Sequence, residues 1–222
     1  EHTDNDYLFP EYEGKQLTLV DLNNPSNVQR LGTKGQGPND FLRISNLSYN
    51  PQNGILHVFD EYARRQSSYT VKERKVVFNA ANLKKKTLLG NTTYNVIPFG
   101  NSFVTNGNFD GKQFALLNEK AEIVEKFGIF PGNKDAINTG VAFYLLNQNR
   151  LVVNPQETHF AAAGFMNDHL VFYGKKGNSV EKLKEYFNYD TKATPSVRNQ
   201  GGGKLYAFSE NENTMRAYVD VF

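Results

Sequence analysis

A recurring unit of several short strands is the feature of this sequence that most constrains its fold. In each unit a turn leads into an apolar strand, and a polar turn and another strand follow. The first strands of the five units begin near Tyr7, Ile55, Ser102, His159 and Lys204. The intervals between successive units are therefore 48, 47, 57 and 45 residues. An inserted loop over residues 129–140 (IFPGNKDAINTG) would explain the one long interval. A period of about 40–50 residues is typical of propeller blades.

The local pattern favours strands over helices. The 27 Asn, 18 Gly and 8 Pro are turn formers, and they separate short stretches rich in β-branched and aromatic residues. Strands are predicted over residues 16–22, 55–60, 67–71, 113–117, 169–173 and 216–222. The stretch NSVEKLKEYF (178–187) suits either a helix or an outer strand, and residues 136–146 could form a short helix.

An all-β propeller and a β-sandwich both account for short strands separated by turns. A sandwich with ordinary hairpins would not produce a long recurring unit, whereas a propeller repeats because one blade cannot bury both of its faces alone. The repeat therefore predicts a β-propeller.

The glycine-rich segment RLGTKGQGPNDF (30–41) is the most specific stretch of the chain. Its glycines can adopt positive φ or allow a close backbone approach, Pro38 stiffens the exit, and Phe41 can fill the apolar seam between blades. We expect a crossover between two blades, from a strand that ends near Leu31 to one that opens near Ile44. A phosphate-binding loop is disfavoured because neither a Lys-Ser/Thr pair nor a helix follows the glycines.

The stretch GTKGQGPNDF (32–41) resembles the G-x-K-G-Q-G-P-x-[DE]-F pattern of TolB-like six-bladed propellers exported by Bacteroidetes. Residues 143–177 are similar to the same family's progression of aromatic-Tyr, Pro, Phe-Ala and Asp-x-hydrophobic. Phe130-Pro131-Gly132 looks like the Pro turn that precedes it.

The resemblance implies a six-bladed β-propeller that is exported and often lipid-anchored at the cell envelope, and it carries over no catalytic residue. We expect residues 1–222 to form a single propeller domain covering about four to five blades. Because the last unit stops after two strands, we expect the domain to be incomplete at the C-terminus.

Composition narrows the function classes. The net charge of +2 and the small basic clusters do not predict a nucleic-acid surface, and no apolar run reaches the length of a membrane span. Any export signal or lipid anchor would precede the chain, which opens EHTDND without a Met or an apolar leader. Cysteine is absent, which excludes a thiol nucleophile and cysteine-ligated metals.

No catalytic or metal-binding residue is predicted. His57, His159 and His169 sit in or beside predicted strands with no metal-ligand spacing, and no Gly-x-Ser-x-Gly elbow occurs. The adjacent acids Asp60 and Glu61 could bind a cation, but the stretch DEYARR is more typical of a solvated hairpin turn.

Propeller geometry predicts a ligand-binding face without identifying the ligand. The crossovers and the middle hairpin loops of the blades gather on one face around the channel, and function is commonly carried by such loops. The candidate loops are residues 33–40, 60–65, 106–112, 173–178 and 209–214. The candidate ligand contacts are polar side chains of these loops: Lys34, Gln36, Asn39, Asp60, Arg64, Asn108 and Asp110.

The favoured hypothesis is a non-enzymatic binding or scaffold module of the bacterial cell envelope, periplasmic or associated with the outer membrane. It would bind a glycan, a peptide or an envelope protein on the loop face, without a cofactor. The alternative is a metal-assisted propeller hydrolase, lactonase or glycan lyase, in which carboxylate, Asn or His side chains would hold a channel cation such as Ca²⁺.

Overall fold

Every regular element in the described part of the chain is a β-strand. The computed structural model describes residues 6–11, 15–72, 75–83, 93, 95–131, 147–187, 194–200 and 203–209. Each strand pairs antiparallel with the next strand of its sheet, so every sheet is an up-and-down meander. Within these ranges no helix is long and apolar enough to cross a membrane.

The strands form five successive sheets. The first contains β1 (Asp6–Glu11), β2 (Gln16–Asp21) and β3 (Val28–Leu31). The second contains β4 (Ile44–Asn50), β5 (Ile55–Asp60), β6 (Arg65–Lys72) and β7 (Lys75–Leu83). The third contains β8 (Val96–Phe99), β9 (Ser102–Phe109), β10 (Lys112–Leu117) and β11 (Ile123–Ile129). The fourth contains β12 (Asn149–Val153), β13 (His159–Gly164), β14 (Leu170–Lys176) and β15 (Ser179–Tyr186). The hairpin β16 (Thr194–Gln200) and β17 (Gly203–Ser209) is the last.

Several predicted strands correspond to observed ones. β5 has the predicted limits, and β2, β6, β10 and β14 overlap their predicted ranges. The ambiguous stretch 178–187 forms the outer strand β15 and not a helix. The predicted short helix at 136–146 and the predicted strand at 216–222 lie outside the described residues.

The hydrophobic core is divided into three clusters, and each lies between two neighbouring sheets. Leu8 and Leu17 of the first sheet pack with Leu56 and Tyr69 of the second. The other two clusters join the second sheet to the third around Phe59 and Phe103, and the third to the fourth around Phe114 and Phe160. Burial between successive sheets explains why the repeating unit is stable only in an array.

The sheets are arranged radially. β8 contacts the first strands of both neighbouring sheets, β4 and β12, and the fourth strands β11 and β15 also contact each other. The first strand of each four-stranded sheet is therefore innermost and the fourth is outermost. This is the arrangement of β-propeller blades, and it confirms the predicted fold class.

We call the end at which β4, β8 and β12 begin the upper end, and the opposite end the lower end. Because the strands alternate in direction, the crossovers between sheets and the β5–β6, β9–β10 and β13–β14 hairpins lie at the upper end. The β12–β13 and β14–β15 hairpins lie at the lower end.

The repeat starts at a different strand from the one we expected. β5, β9, β13 and β17, which begin the predicted units, are the second strands of their sheets. β3 ends at the upper end, beside the start of β4, so it corresponds to the outermost strand of a four-stranded sheet. β1 lies two strands before it and therefore corresponds to a second strand. The sequence pattern missed the inner strands because they are short or rich in polar residues, as in ISNLSYN of β4.

Candidate functional site

The glycine-rich crossover lies at the upper end, between the first and second sheets. It connects β3, which ends at Leu31, to β4, which begins at Ile44, as predicted. Gly32 has a φ of 80°, and a Cβ there would lie 2.2 Å from the carbonyl oxygen of Asn39, so only glycine fits. Phe41 is 1% exposed and packs with the core between these two sheets, which confirms the expected seam-filling role.

The carboxylate of Asp40, near the end of the crossover, binds residues nearer its start. It accepts hydrogen bonds from the Thr33 hydroxyl at 2.9 Å and from the backbone N–H groups of Thr33 and Gly37 at 3.3 Å. The bond from the Thr33 hydroxyl is the main reason that the pKa of Asp40 lies below its ordinary value. Main-chain bonds between Thr33 and Phe41 and between Gly35 and Phe41 complete a tight loop.

Arg65, at the start of β6, clamps this loop from below. Its guanidinium donates to the carbonyl oxygens of Gly37, at 2.7 Å, and Asp40. Its side chain is buried, and it lies 4.0 Å from the Asp60 carboxylate. Arg65 was not among the predicted residues. The hairpin register could have indicated it, because Arg65 pairs directly with Asp60 across β5 and β6.

Asp60 is a structural anchor at the same point. It is 1% exposed, and its carboxylate accepts hydrogen bonds from the backbone N–H groups of Leu42, Arg43 and Ala63 at 2.7–3.0 Å. These bonds fix the exit of the crossover to the β5–β6 hairpin. Asp60 therefore stabilises the upper end from a buried position.

Lys34, Gln36 and Asn39 are exposed on the outer side of the loop. Within the described part of the chain, their side chains make no hydrogen bond or ion pair. Their backbone is held by Asp40 and Arg65, so an ammonium and two amides are presented to solvent from a fixed frame. This is the arrangement that a preorganised contact surface requires.

Arg64 lies beside this surface and links the second sheet to the segment that precedes the third. It is half-buried with a φ of 52°, and its guanidinium donates to the carbonyl oxygen of Thr93 at 2.7 Å. Nearby, Arg43 stacks on Tyr62 with 5.2 Å between the guanidinium carbon and the ring centroid, and it lies 3.6 Å from Glu61. Burial raises the pKa of the Glu61 carboxyl, and the cations Arg43 and Arg64 oppose that shift.

Asn108 and Asp110 are placed at the upper end of the third sheet. The Asn108 side chain accepts a hydrogen bond from the backbone N–H of Gly111 at 3.0 Å. Asp110 has a φ of 53° and pairs with Lys126 on the adjacent strand β11. Asn108 therefore closes the β9–β10 turn, and Asp110 ties that turn to β11.

One predicted loop lies at the wrong end. Residues 173–178 form the β14–β15 hairpin, which is at the lower end because β14 runs downward. Its Lys175 donates its backbone N–H to Thr158 of the β12–β13 hairpin, also at the lower end. Residues 210–214 of the last predicted loop lie outside the described residues.

A buried amide cluster joins the third and fourth sheets at the upper end, and it was not predicted. Asn106 donates to the backbone and side-chain oxygens of Asn149 at 2.8 and 3.2 Å, and it accepts from the backbone N–H of Asn95. Gln113 donates to the carbonyl oxygen of Asn147 at 3.1 Å. These residues resembled ordinary turn formers in the sequence, and only their convergence on one junction reveals their role.

The described residues hold no group of three or more His or acidic side chains that could bind a metal ion. His57 lies in β5 with its ring 6.0 Å from that of Phe103, and burial lowers its pKa to about 4. His169 is 2% exposed and lies 2.9 Å from Glu185, and burial lowers its pKa as well.

Comparison with known proteins supports the fold. No protein-family model matches the chain, and no curated protein matches it. A Bacteroides fragilis protein that carries the name of an exported protein superposes with a TM-score of 0.55 at 12% identity, over 82% of this chain and 48% of that one. This chain therefore spans about half the length of that protein.

Two other solved structures are similar at lower scores. The β-propeller domain of Cps50 (Swd1) from Myceliophteria thermophila has a TM-score of 0.46 at 12% identity, over 93% of this chain and 66% of that one. A periplasmic gluconolactonase of Pseudomonas aeruginosa has a TM-score of 0.41 at 10% identity, over 82% and 53%. The likeness to the Bacteroides fragilis protein, at a TM-score of 0.55 and 12% identity, concerns the fold and not the activity.

Proposed function

We propose that this chain is a non-enzymatic binding or scaffold module of the bacterial cell envelope. Its upper end would take a polar ligand, a glycan, peptide or protein, through the side chains of the glycine-rich crossover. One observation carries the proposal: Lys34, Gln36 and Asn39 are exposed without partners in the described part of the chain, while Asp40 and Arg65 hold their backbone.

The physical argument is that the loop is ordered before a ligand arrives. Binding surfaces lose affinity when side chains or loops must be ordered on association, at about 0.5–1.5 kcal/mol per immobilised side chain. A loop closed by Asp40 and clamped by Arg65 has its main chain already fixed. Lys34 can donate to anionic or carbonyl groups, and the two amides can both donate and accept.

Export, lipid anchoring and a six-bladed, TolB-like propeller are parts of the same proposal. They rest on the resemblance of GTKGQGPNDF to exported propellers, and the name of the Bacteroides fragilis neighbour is in keeping with it. Fractionation of cells that express the native gene, with mass spectrometry of the N-terminal peptide, tests the location and the anchor.

A thermal-shift screen followed by calorimetry tests the binding proposal. The panel contains envelope glycans, peptides, Ca²⁺ and EDTA, since a ligand at 100 times its dissociation constant adds about 2.7 kcal/mol of stability. We expect a glycan or peptide to raise the melting temperature of the parent chain. The triple variant Lys34→Ala, Gln36→Ala, Asn39→Ala should lose that shift and keep its own melting temperature.

The matched control carries Gln52→Ala and Asn178→Ala, two exposed positions at the lower end. It should bind like the parent chain. Equal losses in both variants would refute a site on the crossover. A shift produced by Ca²⁺ and reversed by EDTA would instead support the metal-assisted enzyme.

A further inference from the structure

A cavity lies on the outer side of the third and fourth sheets, beside β11 and β15. It has a volume of about 540 Å³ and is lined by the end of β11, by β15 along its length, by the start of β10 and by the side chain of Tyr173. Pockets of roughly 300–1,000 Å³ are the usual size for small organic ligands. None of the seven predicted contact residues lines it.

One part of the cavity lining is apolar and aromatic. Phe127 and Tyr173 form its floor with ring centroids 5.2 Å apart, and Phe187 forms one side. Ile129 is 72% exposed at the rim, and Phe187 is 42% exposed. Exposed apolar side chains beside a concave aromatic floor suit a ligand with an apolar body.

Tyr173 brings a polar group to this floor. The residue is only 4% exposed, yet its hydroxyl makes no hydrogen bond within the described part of the chain. The hydroxyl approaches β11 closely because residue 128 is glycine: a Cβ at Gly128 would lie 3.2 Å from it. The hydroxyl lines the cavity, so it is open to a ligand oxygen there and can donate a hydrogen bond to it.

The rim of the cavity is positively charged. Lys112, Lys126 and Lys182 line it, and Glu185 is the single acid among the lining residues. Lys126 and Lys182 pair with the exposed carboxylates of Asp110 and Glu185, and such surface pairs are weak enough to exchange. Lys112 makes no ion pair in the part of the chain that the structure describes, and it lies directly opposite Ile129 in the β10–β11 register.

We propose that this cavity binds a small organic anion with an aromatic or aliphatic body. The apolar part lies against Phe127, Tyr173 and Phe187. The acidic group accepts hydrogen bonds from the Tyr173 hydroxyl and from Lys112. The site is separate from the glycine-rich crossover and does not depend on its function.

Anilinonaphthalene sulfonate is a suitable probe, because it joins aromatic rings to one sulfonate. Its uncharged relative phenylnaphthylamine has the same rings and no acidic group. We expect the folded chain to bind the sulfonate with one-to-one stoichiometry in calorimetry and fluorescence titration. The uncharged probe should bind at least about tenfold more weakly.

Two substitutions test the polar contacts. Tyr173→Phe removes only the hydroxyl, and Lys112→Gln removes the unpaired ammonium; each should weaken sulfonate binding several-fold, and the double variant about tenfold or more. Ile129→Glu places a carboxylate at the exposed rim and should abolish binding without a loss of stability. Lys184→Gln is the control, because Lys184 lies on β15, which also lines the cavity, but stacks on Tyr186 outside it.

Equal affinity for the charged and uncharged probes would overturn the proposal, since it would show an apolar patch with no anion selectivity. Unchanged sulfonate binding in the Lys112 and Tyr173 variants would also overturn it, because the probe would then sit elsewhere. The urea unfolding midpoint of each variant shows that a lost signal is not lost folding.

Discussion

Two junctions at the upper end of the molecule are built from different chemistry. The first and second sheets are joined by charged groups, Asp40, Asp60 and Arg65, which bind the main chain of the crossover. The third and fourth sheets are joined by the neutral amides of Asn106, Asn149 and Gln113. The charged junction holds a loop that exposes polar side chains, whereas the neutral one is enclosed.

This difference predicts how the stability of each junction responds to mutation, pH and salt. A carboxylate that accepts three backbone N–H bonds is a concentrated anchor, and its loss leaves several donors unsatisfied at once. The amide cluster distributes its bonds over more residues. It should also be indifferent to pH and salt, because none of its members titrates.

Removal of the Asp60 carboxylate should have the largest effect. Asp60→Ala leaves the N–H groups of Leu42, Arg43 and Ala63 without their acceptor, and it leaves Arg65 without its nearby charge. We expect the free energy of unfolding to fall by about 4 kcal/mol, measured by urea denaturation. Asp60→Asn keeps one acceptor oxygen and should lose about half as much. Equal losses would contradict the anchor role.

Loss of the amide cluster should cost somewhat less. Asn106→Ala removes the acceptor of the Asn95 N–H and both donors to Asn149, all of which are buried. We expect a loss of about 3 kcal/mol that is the same at low and high salt. Asn108→Ala, two residues along and exposed, is the control and should cost less than about 1 kcal/mol. A strong salt dependence of this loss would contradict the difference between the charged and the neutral junction.

The junction between the second and third sheets should respond to acid through His57. The folded chain holds the pKa of His57 at about 4 by burial, below its ordinary value of 6.5, so the unfolded chain takes up the proton first. Stability is therefore complete above pH 6.5 and falls as the pH drops, by about 2 kcal/mol at pH 5 and about 3 kcal/mol at pH 4.

A urea series at several pH values measures this dependence. His57→Phe keeps a ring against Phe103 and should remove that part of the slope. An unchanged slope would show that His57 is not the responsible group.

The crossover itself should loosen only in stronger acid. Hydrogen bonds from Thr33 and Gly37 hold the pKa of Asp40 below its ordinary value of 3.8. Its contribution is present above that value and is lost as the pH falls through the lower folded pKa. Amide hydrogen exchange at Thr33 and Gly37 should accelerate there, while the amides of β10 stay protected. Asp40→Asn should show fast exchange at neutral pH.

The sequence predicted the parts of the fold that depend on local pattern. The limits of β5 and the crossover from Leu31 to Ile44 followed from β-branched runs and from glycine spacing. The inner strands were missed because their polar residues are buried by neighbouring sheets, and a linear pattern does not record that packing. β8 is only VIPF, too short to stand out.

The candidate site was predicted in part. Lys34, Gln36 and Asn39 were found because a glycine-rich turn marks a rigid exposed loop. Arg65 was not, because its role depends on the carbonyl groups of Gly37 and Asp40, which lie beside it only in the folded chain. Residues 173–178 were placed at the wrong end because the β13–β14 hairpin, which is the equivalent of residues 60–65 and 106–112, was passed over.

The clamp on the crossover touches only main-chain atoms: Arg65 holds two carbonyl oxygens, and Asp60 holds amide N–H groups. The identities of residues 34, 36 and 39 are therefore not constrained by folding. If the crossover binds a ligand as proposed, substitutions at these three positions would change what is bound and leave the frame that displays them intact.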